Sequence, residues 1–343
     1  MKQGLPTSLL QCLRVSFLIS VMVTSLLYVS ALGQAALTAA RKGASPRQTV
    51  TLPPGVTSRD ARFYSEGVEC HGRIFLPAGF SVEAKLPAVV LAPGWGETSI
   101  SVESFAARFA ARGLVAMVID YRGWGRSGGY LQTVDQVKTD DRLRFSQMTA
   151  KVRITRGRLL PQQQILDIRN ALYYLQGEPG VDRARVGIWG TDMAGGHVIV
   201  TAANDARIVA AVAQLPVIEG RDTPRRASAP TGSLLIGEQK RARLGQTGAP
   251  SRAGMVDVES QLAVAEYHPF WAVDQIPART AVLFILAEKD VKAKNETALA
   301  ASKLLKGPTD VVTIPGVTPA QFAHEPAIDA AAVAAADWFL KHL

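Results

Sequence analysis

Asp192 lies in the middle of RVGIWGTDMAGGHVIV, Arg185 to Val200, which reads as a buried strand that turns sharply at glycine and enters a helix. A side chain at such a turn stands above the end of a sheet with the first N–H groups of the helix behind it. A carboxylate there has three uses. It can attack an sp3 carbon and form an alkyl ester, it can act as a base, or it can cap the helix and do no chemistry. Attack on an ester carbonyl is disfavoured, because the product would be an anhydride, more reactive than the ester consumed. Completing the alkyl-ester route requires water directed at the Asp192 carbonyl by a base, and imidazole is the side chain best suited to that near neutral pH.

The histidines are therefore the next residues to weigh. His197 lies one turn into the helix and reads as a packed, hydrogen-bonded core residue, while His71 and His342 have no chemical context. His268 sits in EYHPFW, where it can reach a cleft as a substrate-binding residue with Tyr267 or, with Tyr267, Phe270 and Trp271, anchor a cap by packing. No CxxC, HExxH or carboxylate cluster points to a metal, and the glycine runs PGWG and RGWGRSGG are too short and misplaced for a dinucleotide, so no cofactor is expected.

These residues need a scaffold, and the hydrophobic pattern describes one. ARFYSEGVECHGRIFLPAG alternates apolar and polar residues as an opening antiparallel hairpin does. The period then changes. LPAVVLAPG, LVAMVIDYRG, RVGIWG, IVAAVAQL, RTAVLFILAEKD and DVVTIPG are short apolar runs separated by helical segments such as SFAARFAARG and QQILDIRNALYYLQ. That alternation predicts a mostly parallel, twisted sheet covered by helices on both faces. Two stretches break it: a basic insertion at about 130–160, and a segment at about 217–276, rich in Arg, Pro, Gly and Ser, that reads as a short cap over the sheet's carboxyl edge.

Nearly half of the 343 residues are hydrophobic and a fifth are charged, which suits one large globular domain over 59–343 and excludes disorder by composition. The net charge is +9, and Lys138, Arg142, Arg144, Lys151, Arg153, Arg156 and Arg158 concentrate much of it. With no nucleic-acid motif, this reads as a solvated basic face; weak association with anionic membrane surfaces is the sharper alternative. Lys2 and Arg14 precede the uncharged run Val15–Leu32, which is followed by small residues, so 1–35 is expected to be an export signal for a periplasmic or secreted protein, with an uncleaved membrane anchor as the competing reading. Residues 36–58 read as a linker. The mature chain would keep Cys70 alone, with no internal disulfide.

The sequence resembles the α/β-hydrolase superfamily, in particular its dienelactone-hydrolase-like and peptidase-like members, over about Val68 to Leu343. LAPGWGE resembles the loop after the third strand that supplies half of an oxyanion hole, and DYRGWGRSGG resembles the turn after the fourth, where Arg122 and Ser127 read as structural. G-x-D-x-A-G resembles the nucleophile elbow G-x-S-x-G with Asp192 in place of Ser. LAEKD places Asp290 where the family has its triad acid. PGVT stands before the expected histidine position, which Pro319 occupies; His324 follows five residues later in PAQFAHEP. The resemblance implies an α/β-hydrolase fold with Asp192, His324 and Asp290 as nucleophile, base and orienting acid, and with Trp95 and Met193 supplying the oxyanion-hole N–H groups. Attack by Asp on an epoxide or a carbon–halogen bond in a small-molecule substrate resembles the haloalkane dehalogenases and epoxide hydrolases only in part. Their nucleophile is followed by Trp, and here Met193 and Ala194 follow; the cap offers only Tyr267 to protonate an epoxide oxygen. A non-catalytic relative binding a ligand or partner in the old cleft, and an enzyme using Asp192 as a base, remain the alternatives.

Overall fold

A computed structural model describes residues 50–134, 142, 146–220, 257–291 and 295–343. The expected export segment and linker up to residue 49, the centre of the cap at 221–256, and most of 135–145 lie outside the described residues.

The opening hairpin is β1 (Thr57–Ser65) and β2 (Val68–Leu76), antiparallel with Phe63 opposite Cys70. The apolar runs that follow form β3 (Leu86–Ala92), β4 (Val115–Ile119), β7 (Val181–Thr191), β8 (Ala210–Gln214), β9 (Ala281–Ala287) and β10 (Thr309–Ile314). Together they make an eight-stranded sheet in the order β1-β2-β4-β3-β7-β8-β9-β10, in which every pairing from β4 to β10 is parallel. Burial on both faces explains why β3, β4, β8, β9 and the second half of β7 are continuously apolar, whereas β10, at the sheet edge, is only partly buried. The basic insertion contributes a separate two-stranded ribbon, β5 (Tyr130–Thr133) and β6 (Val152–Thr155).

On one face α1 (Glu103–Ala111) and α6 (Ala327–His342) pack against Val89, Leu91, Trp189 and Leu283. On the other lie α2 (Pro161–Gly177), α3 (Met193–Asn204) and α5 (Asn295–Ser302), joined by a 3-10 helix at Pro269–Gln275, against Val90, Ile188 and Phe284. Of the cap, α4 (Val258–Ala265) is described, its first turn capped by the Asp257 carboxylate on the Ser260 N–H at 2.7 Å. Among the described residues no helix is long and apolar enough to cross a membrane.

This connectivity decides where a site can be. The chain leaves β3 toward α1 on one face and leaves the adjacent parallel strand β7 toward α3 on the other. The two loops part, and a crevice opens between them at the carboxyl ends of the strands.

Candidate active site

Asp192 stands on one lip of that crevice with φ 55° and ψ −121°, a conformation that costs an L-residue free energy and persists only where its surroundings hold it. Three backbone hydrogen bonds do so. The Asp192 N–H donates to Gln214 O, and Asp192 O accepts from the N–H groups of Gly195 and Val217, all at 3.0 Å. The glycines of the motif let these elements close up: a Cβ on Gly190 would overlap the Ala194 carbonyl, and one on Gly195 would come within 2.7 Å of Pro216 Cα.

The carboxylate does not cap α3. Instead Oδ2 accepts the Trp95 N–H from the opposite lip at 2.9 Å. A tight turn aims that donor: the Glu97 N–H donates to Gly94 O at 3.2 Å, and Gly94 is so close that a Cβ there would lie 3.0 Å from Asp192 Cβ. Met193, the first residue of α3, has a backbone N–H with no intrahelical partner. Oδ2 of Asp192 is thus held by a backbone donor across the crevice.

An apolar cluster packs against the Trp95 side of the crevice. Met193, Leu159, Ile165, Val264 and Tyr267 form a buried cluster, with Trp95 and Trp124 packed against it. Within it, the Tyr267 hydroxyl hydrogen-bonds His197 Nδ1 at 2.8 Å, and His197 Nε2 hydrogen-bonds Gln164 Oε1 at 2.9 Å. Burial pushes the His197 imidazole down to about 3, so it is neutral, and pushes the Tyr267 phenol well above its ordinary range. A neutral ring with both nitrogens engaged ties α2, α3 and the cap together. This matches the sequence reading of His197 as a core residue, but the Gln164–His197–Tyr267 chain was not foreseen. The signal available was a lone histidine inside the otherwise apolar helix MAGGHVIV.

His268 faces another direction. Its Nδ1 pairs with Glu219, and its ring lies 4.3 Å from that of Trp271. Asp290 is part-exposed on the loop after β9 and donates its N–H to Ala287 O at 3.2 Å. His324 ends a 3-10 helix, Pro319–Ala323, and is exposed. Its neighbour Glu325 pairs with Arg108, five residues into α1, about 8 Å along the helix axis from its start. None of the hydrogen bonds among the described residues links the His324 ring to Asp192. The fold therefore brings the Asp192 carboxylate to the Trp95 N–H, packs Trp95 against the cluster of Met193 and Tyr267, and leaves His324 exposed.

The turn after β4 behaves as scaffolding. Burial raises the Asp120 carboxyl, but the His71 ring beside it, followed by the N–H groups of Arg126 and Ser99 that it accepts at 2.8 and 2.7 Å, lowers it on balance. Ser127 Oγ donates to Asp120 O at 2.6 Å. Arg122 is buried against Asp167, with Nε to Oδ1 at 2.8 Å. Among the described residues no three His, Cys, Asp or Glu side chains are arranged to hold a metal.

Comparison with known proteins adds the following. Residues 59–221 match the family described as Acetyl xylan esterase (AXE1). The chain is 30% identical over 187 residues to the quorum-quenching protein AidA of Acinetobacter baumannii, covering 54% of this chain and 53% of that protein. It thus spans about half the length of the curated relatives it matches. A hypothetical protein from Pseudomonas aeruginosa superposes with TM-score 0.67 at 18% identity, over 87% of this chain and 99% of the other. The α/β hydrolase GrgF from Penicillium sp. does so with TM-score 0.65 at 17% identity, over 83% and 99%. These solved structures share the α/β-hydrolase fold with the chain.

Proposed function

We propose that this chain, which belongs to the α/β-hydrolase superfamily, hydrolyses a small organic substrate by attack of Asp192 on an sp3 carbon of the epoxide or halide type. One observation carries the reading: Asp192 occupies a strained elbow with Oδ2 on the Trp95 N–H at 2.9 Å. In the proposed step Oδ1 forms a bond to carbon as the carbon–halogen bond breaks, and the halide leaves with the electron pair. Oδ2 becomes the carbonyl oxygen of the resulting ester, already in the position where Trp95 and Met193 N–H groups can hold the charge that develops when water attacks. That second step yields the alcohol, returns the carboxylate and hands a proton to a base. A halide needs no proton to leave, which suits a site whose Tyr267 hydroxyl is engaged with His197. The apolar cluster of Met193, Leu159 and Tyr267, against which Trp95 packs, favours an apolar substrate.

Within this reading His324 is the base and Asp290 its orienting acid, brought in by movement of the loop after β10. The exposed resting position of His324 makes release the slow step. Export through the segment at 1–35 belongs to the same proposal. The exposure of His324 also favours a second reading, in which the cleft binds a ligand and catalyses nothing.

A trapping experiment separates them. The full chain is mixed with a panel of haloalkanes and epoxides in water enriched in oxygen-18, and both halide release and peptide mass are followed. The expected result is a burst of one halide per chain with an alkyl adduct on the Asp192 peptide, then slow turnover that places oxygen-18 in the Asp192 carboxyl. Asp192→Asn abolishes the burst, and His324→Gln slows only the later phase. No adduct from any member of the panel, together with esterase activity gained by Asp192→Ser with Pro319→His, refutes the proposal in favour of the binding reading.

A further inference from the structure

The β5–β6 ribbon collects apolar side chains on the outside of the protein. Leu131, Val134, Met148, Val152 and Ile154 all lie on or beside it and are exposed, Leu131 at 58% and Ile154 at 60%. The pairs Leu131 with Ile154 and Thr133 with Val152 put Leu131, Val152 and Ile154 on one face, while Tyr130 and Thr155 turn toward the protein. An outward apolar ribbon of this kind marks an interaction surface.

Its charge says what kind. Lys151 and Arg153 alternate with Val152 and Ile154 and so leave β6 on its other face, yet both are exposed and have no ion-pair partner among the described residues. Between Lys138 and Arg158 the sequence carries seven cations against two carboxylates, Asp140 and Asp141, and of the seven Arg158 is paired with Asp257 and Glu259. A two-fold contact with a second copy would set these cations against their own equivalents, whereas an anionic surface attracts them.

The ribbon is also rooted at the crevice. The Trp124 indole N–H donates to Arg158 O at 2.8 Å and the Gly157 N–H to Gly123 O at 3.0 Å, and Trp124 packs against the cluster that holds Met193 and Tyr267.

We propose that the β5–β6 ribbon docks the protein on an anionic lipid surface, with Leu131, Val152 and Ile154 entering the headgroup region and the long stems of Lys151 and Arg153 carrying their charges round the narrow ribbon to lipid phosphates. The dock would hold the crevice rim at the membrane, so that an apolar substrate could pass from the bilayer to the cleft. It is independent of the chemistry assigned to Asp192.

The test uses the full chain with Cys12→Ser, since Cys70 is buried. An environment-sensitive fluorophore is placed at Ile154→Cys or, as a control, at Val82→Cys, an exposed position between β2 and β3. Vesicles are phosphatidylcholine alone or phosphatidylcholine with phosphatidylglycerol. The apolar run Val15–Leu32 can bring the chain to either vesicle, so the local probe is the readout and bulk recruitment is not. The expected result is a blue shift at 154 that depends on phosphatidylglycerol and is absent at 82. Lys151→Glu with Arg153→Glu should weaken that response at least about tenfold, and salt should weaken it too. Equal responses at 154 and 82, indifference to phosphatidylglycerol, or a shift at 154 that grows with protein concentration without vesicles would each overturn the proposal, the last in favour of a second copy.

Discussion

Acidification should unfold this protein through His197. The ring is fully buried, and burial holds it at about 3 against an ordinary 6.5. An unfolded chain takes up a proton on this imidazole as pH falls below its ordinary value, and the folded chain does not until about pH 3. Stability from this group is therefore complete above pH 6.5 and is lost as pH falls, at about 1.4 kcal/mol per pH unit. Over the whole window the loss is about 5 kcal/mol, as large as the entire stability of many domains. His197→Asn keeps a donor and an acceptor between Tyr267 and Gln164 and removes the titration. At pH 7 the variant should be less stable by about 1–3 kcal/mol, from a poorer fit and a strained hydrogen bond. Between pH 6.5 and 4, however, it should lose about 3 kcal/mol less than the parent chain. Urea titrations at pH 7, 6, 5 and 4 measure both slopes. Asp60, which Arg126 holds down to about 2, releases its share of stability only below its ordinary 3.8, outside this window. Other carboxyls, including the buried Asp167 that burial raises, act in both chains and cancel in the difference. Parallel slopes for the two chains would refute the account of His197 as a neutral, proton-excluding strut.

Three further substitutions probe the elbow and its scaffold. Gly190→Ala places a Cβ against the backbone carbonyl of Ala194, which cannot step aside without opening the elbow; a loss of about 2 kcal/mol or more is expected, seen as a lower urea midpoint. Arg122→Met leaves the fully buried Asp167 carboxylate without its guanidinium and should cost about 3–5 kcal/mol, while adding Asp167→Leu should recover most of it; a double-mutant cycle in urea reads the coupling. Gly94→Ala brings a Cβ to 3.2 Å from Asp192 Oδ2 and must displace the carboxylate by a few tenths of an ångström. The halide burst should then fall by about a hundredfold with Tm nearly unchanged, as rapid-mixing kinetics and a thermal melt would show.

The architecture was legible because the central parallel strands are apolar on both faces and helices such as α1 carry an apolar stripe, patterns that local burial writes directly into LPAVVLAPG or SFAARFAARG. The elbow was legible for a related reason: a strand-to-helix reversal this tight tolerates no Cβ at Gly190 or Gly195, so the backbone conformation appears as glycines at fixed offsets. The crevice partners of Asp192 were harder to read. That its carboxylate meets the Trp95 N–H instead of capping α3 depends on a contact between residues 97 positions apart. The chain Gln164–His197–Tyr267 likewise draws one residue from each of α2, α3 and the cap.

Residue type and spacing alone determined the sheet, its helical cover and a carboxylate at the turn where two loops diverge, because those features follow from local sterics and from which side chains avoid water. Tertiary structure alone decided which groups face that carboxylate. Asp192 meets Trp95 because β3 and β7 are neighbours in the sheet although β4 follows β3 in the chain, and Gln164, His197 and Tyr267 meet because α2, α3 and the cap pack together. Such pairings depend on distances in space, and separation along the chain carries no direct record of them.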